Sequence, residues 1–144
     1  MRALIERTIG AKCIIDGKVH SSVDRGLLVY VAFTEGDNQD TLNKMASKIS
    51  KLRIFEDENH KMNKSLNDIN GSILLISSFS LYGDTKGNNR PSFVKSLGFD
   101  EAKPLYNEFI KILSDNQNVE TGIFGADMKI ESTNDGPVSI IIDF

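Results

Sequence analysis

Apolar residues follow two rhythms along this chain. From Arg2 to Thr8 they alternate in part, with Ala3 and Ile5 on one side and Leu4 and Glu6 on the other. Period-two patterning of this kind predicts a strand. Lys12 to Ile15 and Lys18 to Val23 flank Asp16-Gly17, a pair suited to a tight hairpin turn because both central positions of a type I′ turn need positive φ. Gly26 then precedes the run Leu27 to Phe33. That run is short and rich in β-formers, which predicts a strand covered on both faces.

The rhythm then changes to helical spacing. Asp37 or Asn38 can cap a helix in which Leu42, Met45, Ile49 and Leu52 recur at steps of three and four. Arg53 to Phe55 leaves it as a short strand, and Glu56 to Asn70 reads as a polar loop. Ser72 to Ser78 predicts a further buried strand, and Gly83 to Gly98 a long loop; loops of this length within compact domains are often functional. A second helix begins near Asp100, with Pro104 in its first turn, where a missing N–H costs little. Ala102, Leu105, Phe109 and Ile112 form its buried face. Asn116 to Phe144 returns to strands, alternating at Met128 to Glu131 and apolar from Val138 onward. This order predicts an α+β fold: a largely antiparallel, β-barrel-like sheet with two main helices, in a single domain spanning residues 1–144.

Composition narrows the class. A chain of 144 residues is one domain's worth and can bury a core without disulfides or a structural metal. With 40% hydrophobic and 26% charged residues it is not a disordered chain. The net charge of −3 argues against tight nonspecific nucleic-acid binding, which needs many cationic phosphate contacts. It leaves room for a small basic patch from Lys61, Lys64, Lys86, Arg90 and Lys95, or for those residues as an ordinary solvated surface. One cysteine, Cys13, makes no intrachain disulfide; without a secretory leader pattern the expected compartment is the cytoplasm. No apolar stretch approaches the ~18 residues of a membrane span.

The usual catalytic inventories are thin. His20 and His60 have no partner at metal-ligand spacing, so neither a metal nor a cofactor is expected. No nucleophile elbow, P-loop or dinucleotide fingerprint is present. Glu56-Asp57-Glu58 reads as a solvated acidic loop and Cys13 as a small buried apolar residue. Two places stand out. Ser77-Ser78-Phe79-Ser80-Leu81 ends a buried strand. Successive N–H groups there can turn away from the sheet to hold an oxyanion, or the hydroxyls can simply bond their own turn. Asn134-Asp135-Gly136-Pro137 has turn chemistry throughout. X–Pro bonds are cis in only about 5–6% of cases, so local sequence predicts trans there.

Taken together, several segments resemble the D-aminoacyl-tRNA deacylase (D-tyrosyl-tRNA deacylase) family: Met1 to Arg7, Leu52 to Phe55, Lys61 to Asn63, Ser77 to Asp84, Arg90 to Phe93, Thr121 to Met128 and Asn134 to Ser139. The resemblance implies a homodimer that hydrolyses the ester of D-aminoacyl-tRNA, and of glycine mischarged on tRNA(Ala), with active sites at the interface that take the tRNA 3′ end. It assigns catalysis to Ser78, Phe79 and Ser80. It implies a cis Gly136-Pro137 bond entering the partner's site to exclude L-amino acids, held by Arg7, with Phe124 lining a pocket for the terminal adenine. The family's Ser-Gln-Phe-Thr-Leu reads Ser77-Ser78-Phe79-Ser80-Leu81 here, so Ser78 loses an amide, while backbone functions at Phe79 and Ser80 are untouched.

Overall fold

The computed structural model describes residues 1–144, built around one curled six-stranded sheet beside a separate two-stranded hairpin. Its spine is β1 (Arg2–Ile15), one strand of 14 residues rather than the two shorter strands expected. β2 (Lys18–Val23) returns from it through Asp16 and Gly17, both at positive φ. β1 lends one edge to two partners: its first half pairs antiparallel with β3 (Gly26–Ala32), its second half with β2. β8 (Lys129–Asp143) runs antiparallel along the other edge. β6 (Ser72–Ser77) and β7 (Asn118–Thr121) extend the sheet from β3 in parallel. The sheet is therefore mixed, with antiparallel pairs around β1 and parallel pairs beyond β3. It curls until its far strands meet, where the Ser21 hydroxyl on β2 donates to the Thr121 carbonyl on β7 at 2.8 Å.

β3 is covered on both faces, as its unbroken apolar run predicts. Leu28 points into the barrel with Ala11, Cys13, Val23, Leu74 and Ile76. Leu27, Val29 and Val31 point outward with Ile5, Ile73 and Leu75, against the helices. Burying each such side chain stabilises the fold by about 1.5–3 kcal/mol, so this two-sided strand carries much of the core. Burial also pushes the Cys13 thiol up, keeping it protonated.

α1 (Gln39–Lys51) buries Leu42, Met45, Ala46 and Ile49. Asn38 caps it, accepting from the N–H groups of Asp40 and Thr41. Asp37, the other candidate cap, instead binds the Met1 amine at 2.6 Å and the Thr34 N–H at 2.8 Å. The segment expected to be a plain polar loop contains a small hairpin, β4 (Phe55–Glu56) with β5 (Met62–Lys64), and a 3₁₀ turn at Asn67–Ile69. α2 (Phe99–Ser114) starts one residue before the expected Asp100, which puts Pro104 in its second turn. Its buried face is Ala102, Tyr106, Phe109 and Leu113, while Leu105 and Ile112 are only half-buried at its margin. Tyr106 takes the central place because its hydroxyl donates to the buried Leu75 carbonyl at 2.9 Å. Burial drives that hydroxyl's pKa far above the ordinary tyrosine value, so it remains a donor.

Register along β1 and β8 positions one further feature. Glu6 faces Ser139 and Thr8 faces Asn134. Between these pairs β1 advances two residues while β8 advances five, so the stretch around Asp135-Gly136-Pro137 is extruded from the sheet. Gly136 and Pro137 stand exposed, and the bond between them is cis, against the local expectation and in agreement with the resemblance.

Candidate active site

β6 leaves the sheet at Ser77, and the chain turns at once into a 3₁₀ helix, Phe79–Tyr82. The Ser78 N–H is the last to join the parallel ladder, donating to Val31 O at 2.8 Å. The next two N–H groups, of Phe79 and Ser80, open the 3₁₀ helix and so have no acceptor within it. Neither takes part in any of the backbone bonds made outside the helices and strands. Two adjacent backbone donors are thus left for a ligand, an arrangement able to hold an oxyanion.

The side chains beside them hold no strong nucleophile. The Ser78 and Ser80 hydroxyls lie 2.9 Å apart and bond each other. No histidine, carboxylate or lysine is bonded to either hydroxyl, so nothing removes their protons. His20 is exposed on β2, and His60 faces Glu56 at 3.3 Å in the β4–β5 hairpin. The geometry therefore favours catalysis by backbone donors over covalent catalysis by serine.

Beside these donors lies a cavity of about 570 Å³, lined by 16 residues of which 11 are hydrophobic. Ser78 and Phe79 form one wall; Phe124, Gly125 and Met128 form another. Phe93, Leu97, Phe99 and Ala102 complete it. The rings interlock: Phe79 meets Phe93 edge-on at 4.9 Å, and Phe124 touches Phe99 at 5.2 Å and Tyr106 at 5.4 Å. Gly125 makes room for this. A Cβ there would stand 2.5 Å from the Phe99 ring, and its φ of +79° is one that L side chains rarely adopt. An aromatic slot with few polar groups suits a planar heterocycle such as a nucleobase.

Arg7, Gly136 and Pro137 lie elsewhere, on the β1–β8 seam; within one chain the fold does not bring them to the cavity. They form their own cluster. Arg7, only 4% exposed, donates through Nη1 to Ile54 O at 2.6 Å and through Nε to Asp135 O at 3.1 Å. Its Nε also lies 3.0 Å from the Asp135 carboxylate. Asn134 accepts from the Val138 N–H at 3.1 Å and donates to Glu6 and Ser139. Thr8 donates to Thr133 O at 2.9 Å. A side chain at Gly136 would crowd Arg7, 3.0 Å from its Nη2, and φ is +122°. This turn is braced on every side, yet its Gly136 and Pro137 face solvent.

Ser78, Phe79 and Phe124 are thus assembled at the cavity, with Ser80 at its rim. Sequence reasoning gave no role to Phe93, Leu97 or Phe99. Phe93 ends Arg90 to Phe93, one of the segments that carry the resemblance, and an aromatic residue inside a long polar loop is the signal that points to it.

Comparison with known proteins agrees over nearly the whole chain. Residues 4–143 match the model of the family described as D-Tyr-tRNA(Tyr) deacylase. A D-aminoacyl-tRNA deacylase of Clostridium botulinum (strain 657 / Type Ba4) is 49% identical over 144 residues, covering 99% of this chain and 97% of that protein. Among solved structures, the c-Myc DNA Unwinding Element Binding Protein superimposes with a TM-score of 0.95 at 33% identity, covering 100% of this chain and 99% of that one. A second, described as a "probable eukaryotic D-amino acid tRNA deacylase", gives 0.84 at 19% identity, covering 99% and 98%, and shares the fold.

Proposed function

The chain belongs to the D-Tyr-tRNA(Tyr) deacylase family, and from that premise we propose that it hydrolyses the ester linking a D-amino acid to the 3′-terminal ribose of tRNA. The observation that carries this reading is the pair of unused N–H donors, Phe79 and Ser80, at the rim of an aromatic cavity. The terminal adenine enters among Phe79, Phe93 and Phe124. The ester carbonyl oxygen rests on the two N–H groups, which bind it more strongly as negative charge develops. Water attacks the carbonyl carbon, the bond to the ribose oxygen breaks, and that oxygen takes up the proton water gives away. Free D-amino acid and tRNA with a free terminal hydroxyl result. The ester is already activated, so no protein nucleophile is needed; the ribose 2′-hydroxyl is near enough by covalent structure to assist.

In this reading the protein is a cytoplasmic homodimer, and Gly136-Pro137 of one subunit faces the cavity of the other. Exposure of that turn together with its bracing by Arg7 supports the arrangement: a rigid backbone projection is suited to meet something outside its own chain. A pocket that discriminates by one missing methylene gains only ~1–3 kcal/mol, whereas a fixed backbone wall can clash outright with an L side chain. Glycine has no side chain to exclude, so glycine mischarged on tRNA(Ala) is a substrate too.

The test uses purified protein with D-Tyr-tRNA and L-Tyr-tRNA. Release of D-tyrosine alone is expected; no release of either at micromolar enzyme overturns the reading. One observation favours a rival, a catalytically weak homodimer that binds nucleic acid: the close structural match to a protein named for binding a DNA element. Binding of uncharged tRNA without any deacylation would decide for it.

A further inference from the structure

A second depression adjoins the cavity, and the two share walls. The 3₁₀ helix Phe79–Tyr82 presents Phe79 to the cavity and Tyr82 to the neighbouring groove. The loop that supplies Phe93, Ser96 and Leu97 to the cavity supplies Lys95 to the groove. The groove has a volume of about 470 Å³ and is polar where the cavity is apolar. Arg2, Lys86 and Lys95 bring cations to it and Asp84 the one carboxylate among its lining residues.

Its parts are pre-set. The Arg2 guanidinium lies over the Tyr82 ring, 5.1 Å from its centroid. It is fixed there by Asp143 at 2.7 and 3.2 Å and by the Leu81 carbonyl at 2.9 Å. Asp84 accepts from the Lys86 N–H at 2.9 Å and pairs with Lys95 Nζ at 3.1 Å. These contacts, that N–H first, hold its carboxyl below the usual carboxylate range. With Arg2 matched by Asp143 and Lys95 by Asp84, the Lys86 ammonium is the surplus charge. On the opposite rim, beyond Gly125 and Ala126, Lys129 is held by both oxygens of Asp127 and Lys103 lies over Phe99.

We propose that this groove carries the nucleotide next to the terminal adenine of the tRNA strand, with its base on the Arg2–Tyr82 stack and its phosphates at Lys86 and Lys95. Aromatic rings and arginine planes are the surfaces on which unpaired RNA bases stack, and lysines supply the sequence-blind phosphate contacts. The spacing suits it: from Phe79 to Tyr82 a 3₁₀ helix advances about 6 Å, comparable with one nucleotide step. The proposal rests on the deacylase reading but assigns a surface that reading does not use.

The experiment compares two D-tyrosyl substrates, a stem–loop RNA ending in unpaired CCA and D-tyrosyl-adenosine, which has no preceding nucleotide. For Lys86→Ala/Lys95→Ala and for Tyr82→Ala, the preference for the RNA over the nucleoside should fall about tenfold, through KM and not kcat, since losing one stacked base or a phosphate contact or two costs roughly that much. The slope of log KM against log salt should flatten by about 0.7 for each lost phosphate contact. Lys12→Ala/Lys18→Ala, in the β1–β2 hairpin, controls for net charge and should keep both preference and slope. An unchanged preference and slope in the groove variants, with the wild type active on both substrates, overturns the groove and leaves the deacylase reading standing. A wild type inactive on both overturns the deacylase reading.

Discussion

The end of β6 and the turn at Gly136-Pro137 treat their hydrogen bonds in opposite ways. At the β6 end two N–H groups are left without partners outside the helices and strands, and the nearby hydroxyls bond only each other. At the turn, Arg7, Thr8 and Asn134 all spend their side chains on backbone groups. One region keeps donors free for something that arrives; the other fixes a shape that something else must fit. Function at the first is carried by open backbone groups, and at the second by rigidity supplied from outside the turn itself.

The sharpest way to break this contrast is to remove a free donor. Ser80→Pro deletes one N–H at a position where the 3₁₀ helix tolerates proline, and kcat should fall about 10²–10³-fold with circular dichroism unchanged. Next is the brace. Arg7→Met leaves the Ile54 carbonyl and the Asp135 carboxylate without their cation, and urea unfolding should show a loss of about 3 kcal/mol. Gly125→Ala crowds the Phe99 ring that lines the cavity and strains the backbone at φ +79°; KM should rise about tenfold, as for a lost stacking surface. The smallest effect belongs to Ser80→Ala, which keeps the N–H: kcat should stay within about threefold of wild type if the backbone is what acts. A loss in Ser80→Ala as large as that in Ser80→Pro, which lacks both hydroxyl and N–H, would reverse the assignment.

Elements set by short-range pattern were legible in the sequence. The apolar run of β3, the spacing of Leu42, Met45 and Ile49, and the Asp16-Gly17 turn all stand where expected. What failed depended on distant partners. α2 carries Leu105, Tyr106, Phe109, Ile110, Ile112 and Leu113, enough apolar residues for two plausible faces. The choice fell to Tyr106 because Leu75 O offers it an acceptor and Phe124 a ring. The continuity of β1 depends on β8 lying along it from end to end. Of the site, the strand end Ser77 to Leu81 stands out on residue chemistry alone, while the catalytic assignment within it and the pocket role of Phe124 come from resemblance. Phe93 and Phe99 were not given roles, because a loop aromatic reveals its use only when the loop folds back onto a strand end.

The extrusion on β8 also acts as a parity setter. Asn134 and Ser139, an odd number apart, would point to opposite faces of an unbroken strand, yet here both reach Glu6. The extruded stretch therefore resets the in-and-out phase of β8, and pairing with β1 holds it from there on. Beyond it, that pairing keeps Val138, Ile140 and Ile142 on the core side and Ile141 outside, so an added or deleted residue is taken up in the extruded stretch, not by a one-residue slip that would reverse every side chain. Of the turn's length and composition, the composition is the more constrained, with Gly136 at φ +122° against Arg7 and Asn134 bonded to the Val138 N–H.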